Sequence, residues 1–347
     1  MTRAVKGLAV DDPAVWIGAE IEARDDWLYR LSEAEIDDLA LMAGNIRHKF
    51  GDDPNALLST TAEDFDLGGF ADRLAEIQRD LKDGLGFALI RGLPLDEMEL
   101  ADAIAIYWGI GRHMGRAVSN NPEGDMIGHV MDMGKDMSDP RHRGYQTRET
   151  LDFHIDQCDA VGLLCLEAAK SGGLSKIASS PAVYNELLNR RPDLLDVLCQ
   201  PFCWTMHGEV KPGEKSFYET PVFNFVEGAF SAAFGPVHMR KGHALEGAPD
   251  ITEQQLKAIE VIEEIAEDLH YAMELQKGDI QFVNNSVLFH TRTEYQDWPE
   301  PDRHRQLWRL WLVIPDFRPL DPFHTHWRSG IHGDETVEHI SYRPQDR

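Results

Sequence analysis

The chain has 347 residues, 42% of them hydrophobic and 27% charged, with no low-complexity tract, so it carries the material for a substantial globular core. Its 60 acidic residues against 34 lysines and arginines leave a formal charge of −26, which argues against a nucleic-acid partner, because binding phosphate backbones needs a basic face. Cys158, Cys165, Cys199 and Cys203 form no CxxC pair and read as reduced thiols. The opening MTRAVKGLAVDDPAVW lacks an apolar signal core, and no run approaches the roughly 18 to 20 apolar residues of a membrane span. A cytoplasmic protein with no membrane partner is expected.

No repeat and no Pro/Gly/Ser-rich linker divides the chain, so a single domain over 1–347 is expected, with a helical lead-in to about residue 83 and a core over about 84–315. Ser32 and Glu35 form a capping box ahead of apolar residues at helical spacing, and FADRLAEIQRDLKDG predicts a second helix that stops at Gly84. GFALIRGLPL is a short apolar run closed by Gly92 and Pro94, the pattern of a buried strand, and MELADAIAIYWG predicts a third helix. Between Gly111 and Thr150 weak periodicity predicts long loops and short strands of the kind that build binding sites.

Further helices are predicted around Ser180 to Arg190 and from Thr252, which makes a second capping box with Gln255, to about Tyr271. KGDIQFVNNSVLFHTRTEY reads as two short strands around a turn, and RQLWRLWLVIP as a buried strand ended by Pro315. Strands separated by loops and helices point to a mainly β core with flanking helices.

In LDFHIDQCD, His154 and Asp156 are two apart, so on an extended strand both project from one face while Ile155 turns into apolar surroundings. One imidazole and one carboxylate, completed by a second histidine from elsewhere, form the facial triad of non-haem iron(II) oxygenases, which leaves adjacent positions open for a chelating co-substrate and O2. Downstream, SGGLSKIASS carries Ser175, and His290 is followed fifteen residues later by Arg305. A chelating oxo acid bound at the triad leaves its distal carboxylate in a dry pocket, where a planar guanidinium pairs it with two parallel hydrogen bonds and a hydroxyl satisfies a remaining lone pair. Along RHRQLWRLWL, alternation places Arg303, Arg305, Leu307 and Arg309 on one face and Trp308 and Leu310 on the other.

Taken in order, GFALIRGLPL, LDFHIDQCD, SGGLSKIASS, KGDIQFVNNSVLFHTRTEY and RHRQLWRLWL resemble the taurine dioxygenase (TauD/TfdA-like) family of iron(II)/2-oxoglutarate dioxygenases, within the clavaminate synthase-like group, over roughly residues 84–315. The resemblance implies a double-stranded β-helix, a cupin-like jelly roll. It also implies that His154, Asp156 and His290 hold Fe(II), that Ser175 and Arg305 contact 2-oxoglutarate, and that Arg309 meets an anionic substrate. Ser175 stands where the family usually has Thr, and the segment from Asp156 to Gly172 is short, which moves substrate contacts toward the 111–150 loops.

The expected reaction is hydroxylation, or desaturation, of an unactivated C–H bond in a small anionic or amino-acid-like molecule, with O2 consumed and succinate and CO2 released. A carboxylate at Asp156 argues against halogenation. The residues alone also suit a jelly-roll hydrolase or isomerase on another metal, or a non-catalytic binding protein of the same fold, and Arg305 discriminates among these. Oligomeric state, a homo-oligomer included, is left open.

Overall fold

The computed structural model describes residues 3–135, 143–207, 215–333 and 336–344; positions 136–142, within the stretch expected to form loops, lie outside the described residues. The principal helices are α1 (Glu33–Phe50), α2 (Phe70–Asp83), α3 (Leu100–Met114), α4 (Ser180–Arg190), α5 (Pro236–His243) and α6 (Glu253–Leu269). The strands used below are β1 (Leu28–Arg30), β2 (Phe87–Arg91), β3 (Arg116–Val118), β4 (Gly128–Val130), β5 (Ala160–Glu167), β6 (Ser175–Ser179), β7 (Tyr271–Met273), β8 (Ile280–Asn284), β9 (Leu288–Arg292) and β10 (Gln306–Val313).

Both capping boxes form. Glu35 N donates to Ser32 Oγ at 3.3 Å while Ser32 N donates to the Glu35 carboxylate at 2.8 Å, and Thr252 and Gln255 reciprocate at 3.1 and 3.0 Å. α1 ends at Gly51, whose φ of 83° lets the chain leave the helix without steric cost. α2 buries one stripe, Phe70, Leu74, Ile77 and Leu81, whereas α3 is buried continuously from Ala103 to Gly111 because it has neighbours on several sides.

The main sheet runs β1-β2-β8-β5-β10-β3, with β4 sharing an edge of β10. β1 and β2 are parallel and the other pairings are antiparallel. A smaller antiparallel sheet, β7-β6-β9, faces it, and together they form the double-stranded β-helix. β8 and β9 are not a hairpin: the turn between them carries the chain from one sheet to the other.

Alternation divides the main sheet between two cores. Leu89, Val161, Val283, Leu307 and Trp311 face the jelly-roll interior with Ile177 and Phe289 of the small sheet. Ala88, Ile90, Leu164, Phe282, Trp308 and Leu310 face outward and share a second core with α1, α2 and α3. The N-terminal helices are thus the outer layer of the sheet, and β1 is one of its strands. Among the described residues no helix is long and apolar enough to cross a membrane.

Two local expectations need correction. β10 begins at Gln306, after a 3-10 turn over Pro301–Arg303, so Arg303 does not share the strand face; its guanidinium stacks 3.7 Å from the Trp298 ring centroid. His154 and Asp156 lie on an irregular segment that makes a single bridge, through His154, to β9.

Phe282 is fully buried against the helical layer, with a ring carbon 2.8 Å from where a Cβ on Gly162 would sit. Phe282→Ala is expected to destabilise the protein by about 3–5 kcal/mol, read as a fall in the denaturation midpoint with α1 to α3 losing hydrogen-exchange protection first.

Candidate active site

His154 and His290 exchange both backbone hydrogen bonds, His154 N to His290 O at 3.0 Å and His290 N to His154 O at 2.8 Å. A hydrogen-bonded antiparallel pair puts its side chains on the same face, and the two rings lie 4.5 Å apart between centroids. Two residues on, Asp156 is fixed from behind: its N–H donates to Asn285 Oδ1 at 3.1 Å, and Asn285 Nδ2 donates to Cys158 O at 3.0 Å. Ile155, between the ligands, is buried as expected and donates its N–H to Phe234 O.

One ligand atom from each of His154, Asp156 and His290 lies within 4.8 Å of the others, and this is the one such group among the described residues. His154 Nδ1 is 2.8 Å from Asp152 O; a carbonyl only accepts, so Nδ1 carries the proton and Nε2 offers its lone pair. Burial, then the neighbouring His154, pushes the His290 pKa down to about 3, so this ring is neutral, as a metal ligand must be. Burial alone pushes Asp156 up, but Arg309, His290 and His154 together hold it below the usual carboxylate range.

Behind the triad is a cavity of about 60 Å³ lined by all three side chains together with Ser175, Arg292, Arg305, Leu307 and Arg309. Arg305 is only 5% exposed. Its Nη1 is buried with no hydrogen-bond partner, and no carboxylate pairs with it among the described residues. Burial pushes its guanidinium below the ordinary arginine range, with Tyr295 opposing that shift. Arg292, from β9, lies on the other side of the same tyrosine, the two guanidinium carbons being 4.8 and 5.0 Å from the Tyr295 ring centroid.

Arg292 donates to the Thr147 and Glu149 carbonyls, keeps Nε unpartnered, and is pushed down to about 10 by burial and then by Arg305. Ser175 lines the cavity but donates its hydroxyl to Gln281 Oε1 at 2.9 Å, so it turns to a carboxylate only by giving up that bond.

On the outer side is a cleft of about 110 Å³ bounded by His154, Asp156, Tyr145, Leu151, Trp311, Arg309 and the start of α5. Arg309 lines both spaces. Its Nη1 is 3.3 Å from Asp156 Oδ1, and its Nε donates to Asn120 Oδ1 at 2.9 Å. The triad therefore stands in the wall between an inner cavity, lined at its far side by the Arg292 and Arg305 guanidinium groups, and the outer cleft.

A family model described as Taurine catabolism dioxygenase TauD, TfdA family, matches residues 54–311. The chain belongs to the TauD/TfdA family. It is 30% identical over 315 residues to the FR-33289 synthase of Streptomyces rubellomurinus (strain ATCC 31215), covering 88% of this chain and 90% of that protein. It is 26% identical over 311 residues to the taurine hydroxylase-like protein SAT17 of Stachybotrys chartarum (strain CBS 109288 / IBT 7711), covering 87% and 79%.

Among solved structures, asparagine oxygenase in complex with Fe(II), 3-hydroxyasparagine and succinate matches with a TM-score of 0.66 at 17% identity over 85% of this chain and 99% of that one. The non-haem iron oxygenase OrfP in complex with Fe and α-ketoglutaric acid matches with a TM-score of 0.61 at 16% identity, over 83% and 94%. At these identities the likeness shows the shared fold. As a TauD/TfdA family member, the protein is an iron(II)- and 2-oxoglutarate-dependent oxygenase with O2 as its other co-substrate.

Three residues of this TauD/TfdA oxygenase escaped the sequence reading. Arg292 is two residues from His290 on one strand, so period-two spacing alone places both on the same face. Asn285, in the turn between β8 and β9, and Tyr295 carry no spacing signal; only the fold brings them to Asp156 and the arginines.

An uncompensated buried cation is costly, so Arg305→Leu is expected to leave ligand-free protein as stable as wild type or more so. Added 2-oxoglutarate with a divalent metal should raise the melting temperature of wild type only, as thermal denaturation would show. Removing the Asn285 side chain (Asn285→Ala) loosens Asp156 and is expected to weaken Fe(II) binding about 10- to 100-fold, measured by competition with a chromophoric chelator.

Proposed function

We propose that this oxygenase hydroxylates an unactivated C–H bond of a small anionic or amino-acid-like molecule bound in the outer cleft. The observation that carries the reading is the position of the triad, with ligand atoms within 4.8 Å of one another in the wall between the Arg305 cavity and the cleft. In this reading His154, Asp156 and His290 hold iron(II). With 2-oxoglutarate, the bound metal turns O2 into the oxidant for the C–H bond, giving the hydroxylated product, succinate and CO2.

Each residue has a part that its surroundings support. Arg305 takes the distal carboxylate of 2-oxoglutarate, supplying the pairing that both partners lack in a dry cavity, with Ser175 at its side and Arg292 adding positive potential. The Nδ1 hydrogen bond of His154 to Asp152 O and the Asn285 clamp on Asp156 hold two ligands in orientation. Arg309 holds Asp156 ionised and faces the cleft, where it can meet a substrate anion. Solved structures of the same fold are described with 3-hydroxyasparagine and with (3S)-hydroxy-L-Arg, which supports an amino-acid-like substrate and hydroxylation ahead of desaturation.

The test starts with anaerobic protein, Fe(II) and 2-oxoglutarate. Wild type is expected to give the weak visible charge-transfer band of the chelate, and His290→Ala and Arg305→Ala to lose it. Amino acids and small organic acids are then screened for succinate release matched by a hydroxylated product. No band in well-folded wild type, or a band that Arg305→Ala leaves unchanged, would contradict the assignment of these residues.

A further inference from the structure

Past β10 the chain continues into a segment that the matched family region, residues 54–311, does not reach. It carries a short helix, α7 (Pro322–Trp327), capped by Asp321, whose carboxylate accepts from His324 N at 2.8 Å. Both oxygens of that carboxylate lie 3.0 Å from His324 Nδ1, and one of them accepts from Ser231 Oγ. A carboxylate accepts, so Nδ1 carries the proton and the ring is oriented by its partner. On its other side, His324 Nε2 is 3.5 Å from Ser286 Oγ, a contact that a hydroxyl can make as donor or acceptor.

Asp321, His324 and Ser286 stand in the order of acid, base and nucleophile in a serine hydrolase. None of them is more than 4% exposed, and none lines the cavity or the cleft. A hydroxyl that no substrate reaches is no nucleophile, so this row of groups serves to hold. Burial opposes a charge on His324, but Asp321 outweighs it and keeps the imidazole pKa above the usual histidine value.

What the row holds is the turn between β8 and β9. Ser286 follows Asn285, whose Oδ1 accepts the Asp156 N–H, and the Ser286 carbonyl accepts from Ala232 N at 2.9 Å. A second arm leaves the same segment just past α7. Arg328 donates through Nη1 to Asp159 Oδ2 at 3.0 Å, and Asp159 O accepts from Asn285 N at 3.0 Å. The Asp159 carboxylate also accepts from Ile314 N at 2.7 Å, just beyond the end of β10. The two arms thus close on consecutive residues, on Ser286 by its side chain and on Asn285 by its main chain.

We propose that His324 and Arg328 are positioning residues of the iron site: the C-terminal segment braces Asn285 from two directions and, through it, fixes the orientation of Asp156. The inference rests on Asp156 being an iron ligand. Neither His324 nor Arg328 belongs to the triad or lines the spaces beside it, so their influence passes through the turn.

The experiment measures Fe(II) affinity of the full chain under anaerobic conditions, by competition with a chromophoric chelator, and records the melting temperature beside it. Ser286→Ala and Arg328→Gln are each expected to weaken Fe(II) binding about fivefold, less than a residue that touches a ligand directly, while Arg328→Lys stays within about twofold of wild type. In an Asn285→Ala background neither substitution should weaken binding further, because the route to Asp156 is already cut. Asp12→Asn is the control: it disturbs the buried Asp12–Arg318 pair, 2.7 Å apart, which holds the same segment without touching the turn. It should lower the melting temperature and leave Fe(II) affinity at the wild-type value.

Wild-type affinity in both arm variants overturns the brace, as do losses that persist undiminished in the Asn285→Ala background. Losses that track melting temperature in every variant, Asp12→Asn included, overturn it as well, since they report only weakened folding. Ser286→Ala alone carries the test should Arg328→Gln not fold. If His290→Ala binds Fe(II) as wild type does, the assignment of the ligands falls, and the brace with it.

Discussion

The two backbone hydrogen bonds between His154 and His290 are the constraint on which the site depends. They join an irregular segment to β9 of the small sheet, and because the pair is antiparallel and hydrogen-bonded, both imidazoles emerge on one face. Everything else at the triad is placed relative to that bridge. Asp156 comes two residues later, Asn285 holds its amide from the turn that changes sheets, and Arg292 follows His290 at the same alternation along the strand. A jelly roll suits this arrangement because its two sheets bring distant segments of chain against one interior.

The lining of the inner cavity is opposite in charge to the chain as a whole. The chain carries −26 overall, while this cavity gathers Arg292, Arg305 and Arg309, each no more than 6% exposed. One of them, Arg309, is balanced by a carboxylate, whereas Arg292 and Arg305 share Tyr295: Arg305 adds to the downward shift of Arg292, and both arginines oppose the upward shift that burial gives the shared ring. Desolvated cations of this kind are tolerated where an anion completes them, and in the function proposed above the completing group is a dicarboxylate co-substrate.

Local features were legible in the sequence because their causes are local. Capping boxes at Ser32 and Thr252, the apolar run of β2 and the two-residue spacing of His154 and Asp156 need only neighbours to be read. Arg305 was reached through a family resemblance, and alternation along β10 correctly separated Leu307 from Trp308 and Leu310. Arg303 went wrong because that alternation was carried past the start of the strand into a 3-10 turn. α5 was missed for the opposite reason: PVHMRKGH has no side-chain cap and little apolar material, so it is held by its packing on the Phe202–Thr205 strand rather than by its own sequence. Sheet order, and the meeting of Arg143, His207, Gln157 and α5 around one cleft, depend on long-range closure that no window of sequence contains.

The two spaces flanking the triad are built from different materials. Ser175, His290, Arg292, Leu307 and Arg309 of the inner cavity sit on strands, while of the residues around the cleft Arg309 and Trp311 do so and Gly144, Leu151, Gln157 and Gly235 sit outside the ladders. A substitution in the first group disturbs register and two cores at once; one in the second changes only a lining. The cleft's lining can therefore be changed with less disturbance to strand pairing than the cavity's, so the side of the triad that faces outward is the more adaptable one.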